Sequence, residues 1–153
     1  MYLSNYLGML HRAEEDLAEG FRKVGDGHGA EPDIYAICHT LAGQCDERAE
    51  KVGSFAERYG EVEPGEGDRP GRALFGGVPR EGALGLLRDL HDLHTLASFC
   101  DLAWTMIGQA AQGTQDAELL EIVQDCEGET DDQLRWLETR MKQAAPQILV
   151  VAS

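Results

Sequence analysis

Apolar residues recur at alternating steps of three and four along four separate segments of the chain. This period places them on one side of an α-helix, and no run of alternating apolar and polar residues predicts a strand. The pattern therefore predicts an all-α protein with helices at about residues 2–25, 32–59, 82–111 and 115–144. The apolar stripes of these helices include Leu3, Leu7, Leu10, Leu17, Phe21 and Val24; Ile34, Leu41, Val52 and Phe55; Leu86, Leu90, Leu93, Ala97, Trp104, Ile107 and Ala111; and Leu119, Val123, Leu134, Leu137 and Met141.

The connections between these segments predict how the helices are arranged. GDGHGAE, before Pro32, and QGTQD, after residue 111, are short, so each should join two antiparallel neighbours into a hairpin. Residues 60–81 are rich in Gly, Pro and charge, and about 20 residues at ~3.3 Å each can run the length of a bundle. We expect an antiparallel four-helix bundle over residues 1–145, with this segment as its crossover and an apolar tail at 146–153.

Composition limits the possible partners and surroundings of the protein. A chain of 153 residues is the length of one domain with a continuous core. Its 28 acidic and 13 basic residues give a formal charge of -15, which would repel nucleic acid and anionic lipid. No segment has the uninterrupted apolar length of a membrane span or the pattern of a signal peptide. We therefore expect a cytoplasmic protein that binds neither nucleic acid nor membrane.

Four cysteines are spread along the chain, at Cys38, Cys45, Cys100 and Cys126, and none forms a C-x-x-C motif. Each falls within an apolar stripe, where a reduced thiol packs as a small hydrophobic side chain. Pairing of the third and fourth helices would bring Cys100 and Cys126 to the same level. They could therefore form a redox-responsive thiol pair if their Cα atoms approach within ~7 Å, the alternative being two packed core thiols.

Glu14 is the most informative position of the first segment, because it lies in the middle of the stripe formed by Leu7, Leu10, Leu17 and Phe21. A buried carboxylate costs several kcal/mol unless it is paired or bound to a metal. Arg48 lies on the second stripe, about one helical turn from the level of Glu14 if the two helices form a hairpin. An internal carboxylate–guanidinium pair is the simplest way to satisfy both groups.

The same level on the other two helices falls near His94 and near Thr130 or Gln133 if the crossover runs from end to end. The sequence therefore predicts one polar layer inside the bundle, formed by Glu14, Arg48, His94 and Thr130. In its structural interpretation, this layer is a hydrogen-bonded network that sets the register of the helices.

Two helical hairpins joined by a long crossover resemble the ferritin-like superfamily over most of the chain, as an architecture. That resemblance implies a di-iron centre held by inward Glu residues and two Glu-x-x-His motifs. Glu14 matches the Glu of the first helix, but no Glu-x-x-His occurs in the sequence. The second helix has Cys45-x-x-Arg48 at the corresponding level, and the fourth has Glu127-x-x-Thr130. The usual carboxylate-bridged centre is therefore not expected.

A nonstandard metal or small-ligand site is the functional alternative to the structural layer. His11-x-x-Glu14 and His91-x-x-His94 each place two side chains three residues apart, where helix residues become neighbours. Imidazole and carboxylate together suit iron, manganese or zinc. The competing interpretation is that His11 and His91 lie at the edge of the bundle and contact solvent.

Two functions follow from these observations. The first is a small soluble ferritin-like protein whose polar layer is a metal or redox site. The second is a nonenzymatic helical interaction or scaffold module, in which a buried Glu–Arg–His network is structural and an apolar tail or a tryptophan binds a partner or a second copy. In either case we expect a homo-oligomer, most simply a dimer.

Overall fold

The computed structural model describes residues 2–60 and 78–151, and these residues form four α-helices and no strands. Helix α1 spans Leu3–Gly27, α2 spans Pro32–Arg58, α3 spans Gly82–Gly113 and α4 spans Ala117–Pro146. A π-helical turn, Gln147–Val151, follows α4. The predicted all-α class and the four helices are confirmed.

The starts of α2 and α4 show how local sequence sets the helix ends. Pro32 occupies the first turn of α2, where its fixed φ suits the helix and its missing N–H is not needed. Asp116 is the N-cap of α4, and its Oδ1 accepts a hydrogen bond from the backbone N–H of Leu119 at 3.0 Å. Gln115 takes a positive φ of 58°, which turns the chain between α3 and α4.

The core lies between the four helices and is built from the apolar side of each. Helix α1 packs against α2 and α3, and α3 packs against α4. The largest fully buried side chains are Trp104, Arg48, Phe21, Leu7, Leu10, Leu17, Ile34, Leu90, Leu93, Leu96, Ile107 and Leu119. An arginine among these leucines means that the core includes a charged group that must be neutralised from within.

Polar contacts join the helix ends. The Tyr59 hydroxyl, just after α2, donates to Asp116 Oδ2 at 2.6 Å, beside the start of α4. Arg140, near the end of α4, donates from Nε to Asp33 Oδ2 at 2.7 Å, at the start of α2. The turn after α1 contacts α3 through His28, whose Nε2 lies 2.8 Å from Asp89 Oδ2.

The predicted crossover at 60–81 lies largely outside the described residues, because positions 61–77 are not among them. Of the predicted tail, Pro146 is the last residue of α4, and the turn that follows exposes Leu149, Val150 and Val151. Residues 152 and 153 lie outside the described part. None of the helices in residues 2–60 and 78–151 combines the length and the apolar character needed to cross a membrane.

A buried carboxylate–guanidinium cluster as the candidate functional site

Glu14 lies inside the bundle with no exposed surface. It is buried because it shares the inward side of α1 with Leu10 and Leu17, which are also fully buried. Its Oε1 accepts one hydrogen bond from Arg48 Nε at 3.1 Å and another from Trp104 Nε1 at 3.0 Å. Two helices, α2 and α3, thus each supply a donor to one carboxylate oxygen of α1.

Arg48 is the centre of this cluster and is only 1% exposed. Besides Glu14, its guanidinium donates to Gln133 Oε1 at 2.9 Å, to Cys45 Sγ at 3.1 Å and to the Glu129 carboxylate. Burial alone would lower the pKa of Arg48, but the negative charges and the hydrogen bond around it, those of Glu14 foremost, together outweigh burial and hold that pKa well above its usual value. The guanidinium therefore remains charged at any physiological pH.

Gln133 links the cluster to α2 from the α4 side. Its side-chain oxygen accepts from Arg48, and its Nε2 donates to Gln44 Oε1 at 3.0 Å and to the Leu41 carbonyl at 3.3 Å. Since Gln133 is fully buried, both ends of its amide need partners, and both have them. We call Glu14, Cys45, Arg48, Trp104, Glu129 and Gln133 the Arg48 cluster.

Each helix contributes to the Arg48 cluster: α1 supplies Glu14, α2 Arg48 with Cys45, α3 Trp104, and α4 Gln133 with Glu129. One guanidinium stands between two carboxylates, of which Glu14 is fully buried and Glu129 is one-third exposed. Removing one partner of a buried ion pair typically costs about 3–5 kcal/mol, because the other charge is left uncompensated. The cluster can therefore hold four helices in one register.

Two residues of the predicted polar layer, Glu14 and Arg48, are brought together by the structure. The other two make their hydrogen bonds elsewhere. Thr130 is fully buried and donates to the Cys126 carbonyl one turn earlier at 2.8 Å. His94 is half-buried, with its Nδ1 3.4 Å from Ser98 Oγ. At this level α3 supplies Trp104 and α4 supplies Gln133 as partners of the ion pair.

Within its described residues, the structure does not bring three or more of the four predicted metal ligands together as a group that could hold a metal ion. His11 Nε2 lies 3.1 Å from Glu15 Oε1, and His91 is exposed. Among residues 2–60 and 78–151, no group of three or more His, Cys, Asp or Glu side chains is placed to hold a metal ion. The di-iron centre implied by the ferritin-like resemblance does not fit this interior either, because a guanidinium occupies the space beside the Glu14 carboxylate.

Cys100 and Cys126, the predicted thiol pair, are both free and buried. Burial raises the pKa of Cys126 to about 12, and it raises the pKa of Cys100 well above its usual value. Both therefore remain protonated thiols, which are poor nucleophiles. Cys45, in contact with Arg48, also has a pKa raised chiefly by burial.

A second buried carboxylate, Asp89, lies near the start of α3 and was not predicted. It has no exposed surface, and it is close to His28. Arg80 donates to it twice, from its backbone N–H at 3.0 Å and from its side chain at 2.7 Å. The sequence does contain a signal for its burial, because Asp89 lies among Leu86, Leu90 and Leu93 on the inward side of the helix. Asp89 thus ties the residues before α3 and the turn after α1 to α3.

Comparison of the chain with known proteins adds nothing to this description: no family model, no curated protein and no solved structure matches it. Its function therefore has to be argued from the arrangement of its own residues.

Proposed function

We propose that the chain is a nonenzymatic helical module of ferritin-like architecture, which acts by binding another protein chain. In this proposal the Arg48 cluster is structural: it fixes the register of the four helices and performs no chemistry. The outer surface of the bundle then carries the function.

The ferritin-like, antiparallel order of the helices is supported by the contacts between their ends. Tyr59 with Asp116 sets the end of α2 beside the start of α4, and Arg140 with Asp33 sets the end of α4 beside the start of α2. His28 with Asp89 joins the end of α1 to the start of α3. In such an order α2 and α3 start at the same end, which requires a long connection between them.

The structural role is supported by one observation: the charged groups of the cluster form hydrogen bonds and ion pairs with one another. Arg48 donates to four side chains on three helices, and Glu14 Oε1 already accepts two hydrogen bonds. A guanidinium at this distance competes with any cation for the Glu14 carboxylate, since it neutralises the charge that would attract a metal.

Metal analysis tests this role. Protein purified without a histidine tag is measured for iron, manganese and zinc, alongside Glu14→Gln and the exposed control Glu47→Gln. We expect sub-stoichiometric metal in all three proteins, and lower thermal stability in Glu14→Gln alone. Stoichiometric metal that is lost in Glu14→Gln and retained in Glu47→Gln would contradict the proposal.

One observation favours a second candidate, a nonstandard iron, manganese or zinc site. Glu14 Oε2 is buried without a hydrogen-bond partner among the described residues. A carboxylate oxygen in that position is an available ligand, and His11, three residues before Glu14 on α1, is the imidazole next to it in the sequence. The metal measurement decides between the two candidates, since only this one requires bound metal that depends on Glu14.

We also place the protein in the cytoplasm. This proposal is supported by the cysteines, because Cys38, Cys45, Cys100 and Cys126 are all buried free thiols. Proteins of oxidising compartments commonly join such residues in disulfides, whereas cytosolic proteins keep them reduced.

A further inference from the structure

One corner of the bundle is almost free of charge, although the chain as a whole is strongly acidic. Residues 2–10, which are the N-cap and the first part of α1, include no charged side chain, and Asp101 is the one charged residue between His94 and Gln115. These two segments meet in the fold, because Tyr2, Leu3 and Tyr6 line one groove together with Met106, Ile107 and Ala110. We call this region the α1–α3 face.

The α1–α3 face is also apolar. Its groove has a volume of about 220 Å³ and is bounded by apolar and aromatic side chains. Of the residues that line it, Tyr2 is 88% exposed and Met106 48%, and Leu102, which does not line the groove, is 62% exposed. Leu102 and Met106 stand one turn apart on α3, so they form a ridge on the outer side of that helix. Single exposed apolar residues are ordinary, but a groove with an adjoining apolar ridge is typical of a contact surface.

We propose that the α1–α3 face binds a second copy of this chain and forms a two-fold symmetric dimer. This inference rests on the proposed function, because it names the partner and the surface of the interaction module. Two copies of a chain with a net charge of -15 repel each other, and the repulsion is least where the contact surfaces are uncharged. A basic partner, in contrast, would gain most by binding the acidic faces elsewhere on the bundle.

The shape of the face suits a two-fold contact. In a symmetric dimer the same patch serves both copies, so each patch must offer both a projection and a recess. Met106, which forms the ridge together with Leu102, is also one wall of the groove lined by Tyr2, Tyr6 and Ala110. The ridge of each copy can therefore pack into the groove of the other, which buries apolar side chains with few charges to desolvate.

Sedimentation velocity over a range of protein concentrations tests the proposal. The variants are Leu102→Glu/Met106→Glu on the face and Leu84→Glu as a control for an added charge elsewhere on α3, since Leu84 is 57% exposed at the opposite end of the same helix. We expect the wild type and Leu84→Glu to dimerise with equal Kd. The double variant should raise Kd by about 30-fold or more, as the loss of a central apolar anchor does. Its helical circular dichroism and melting temperature should match those of the control.

The dependence on salt gives an independent readout. Screening weakens the repulsion between two acidic copies, so an uncharged apolar contact should tighten as NaCl is raised from low to physiological concentration. A wild type that is monomeric at every concentration, a double variant that dimerises like the wild type, or a dimer that dissociates with added salt would each overturn the inference. Metal content is measured on the same samples. Stoichiometric metal would contradict the structural role of the Arg48 cluster, whereas the dimerisation results test only the α1–α3 face.

Discussion

Glu14 Oε1 is shared by donors from two different helices, and this makes the carboxylate sensitive to either one. The indole of Trp104 donates at 3.0 Å and the guanidinium of Arg48 at 3.1 Å. A hydrogen bond to a charged group contributes more than one between neutral groups, about 1.5–3 kcal/mol in a buried setting. Trp104 therefore stabilises the fold as a polar partner as well as by filling the core.

Trp104→Phe removes the indole N–H while keeping a buried aromatic ring. We expect a loss of about 2–4 kcal/mol in the free energy of unfolding, from the lost hydrogen bond and from the smaller ring. Trp136→Phe, at a half-buried position of α4, should cost clearly less. Urea unfolding followed by circular dichroism measures both. Equal losses in the two variants would show that the contact with Glu14 contributes little.

Part of the cluster could be predicted from sequence, because Glu14 and Arg48 interrupt apolar stripes, and a buried charge demands a partner. Trp104 could not be assigned to the cluster in this way. It fits its stripe as an apolar residue, and the direction of its N–H depends on its rotamer and on how α3 crosses α1. Asp89 was missed because its partners, His28 and Arg80, lie in connections, where no periodicity indicates which side chains turn inward.

At the scale of elements, the start of α4 depends on one carboxylate with two roles. Asp116 caps the helix through the Leu119 N–H and accepts the hydroxyl of Tyr59, which follows α2. The bond from Tyr59 is the main reason that the pKa of Asp116 is lowered, and the bond from Leu119 adds to it. The start of α4 and its contact with the residue after α2 therefore both depend on Asp116.

Asp116→Ala should lower the free energy of unfolding by about 1–2 kcal/mol at neutral pH, the usual cost of losing an N-cap. Because the pKa of Asp116 is lower in the folded state, its stabilisation is present at neutral pH and is lost as the pH falls below about 4, the value for an unfolded chain. The difference in the free energy of unfolding between the wild type and Asp116→Ala should therefore be smaller in acid. Urea titrations at pH 7 and pH 3 measure this, and a constant difference would contradict it.

The four helices were predictable because each has a strong apolar period and ends at turn-forming residues, with Pro32 opening α2 and the QGTQD turn preceding α4. The surface of α3 was harder to interpret. Its apolar residues occur on the outer side as well as the inner side, and a stripe indicates burial without saying whether another helix or another molecule covers it. The α1–α3 face could therefore be identified only from the structure and not from the periodicity of α3.

At the scale of the whole molecule, the bundle is held by apolar packing in which one charged cluster touches every helix. Apolar contacts tolerate small rotations and slips of a helix, whereas a guanidinium with defined acceptors does not. In our proposal, the Arg48 cluster therefore fixes one register of the four helices. A fixed register also holds the outer surface, with its α1–α3 face that is almost free of charge, in one arrangement.

The most direct test of this account is a double-mutant cycle of Glu14→Gln and Arg48→Met, measured by urea unfolding. Arg48→Met should cost about 3–5 kcal/mol, since it strands a buried carboxylate. The double variant should recover part of that loss, giving a coupling energy of about 1–3 kcal/mol. The exposed pair Arg58–Glu118, at 3.0 Å, serves as the control cycle and should couple by less than about 1 kcal/mol. Additive losses for Glu14 and Arg48 would contradict the claim that they stabilise the bundle as a pair.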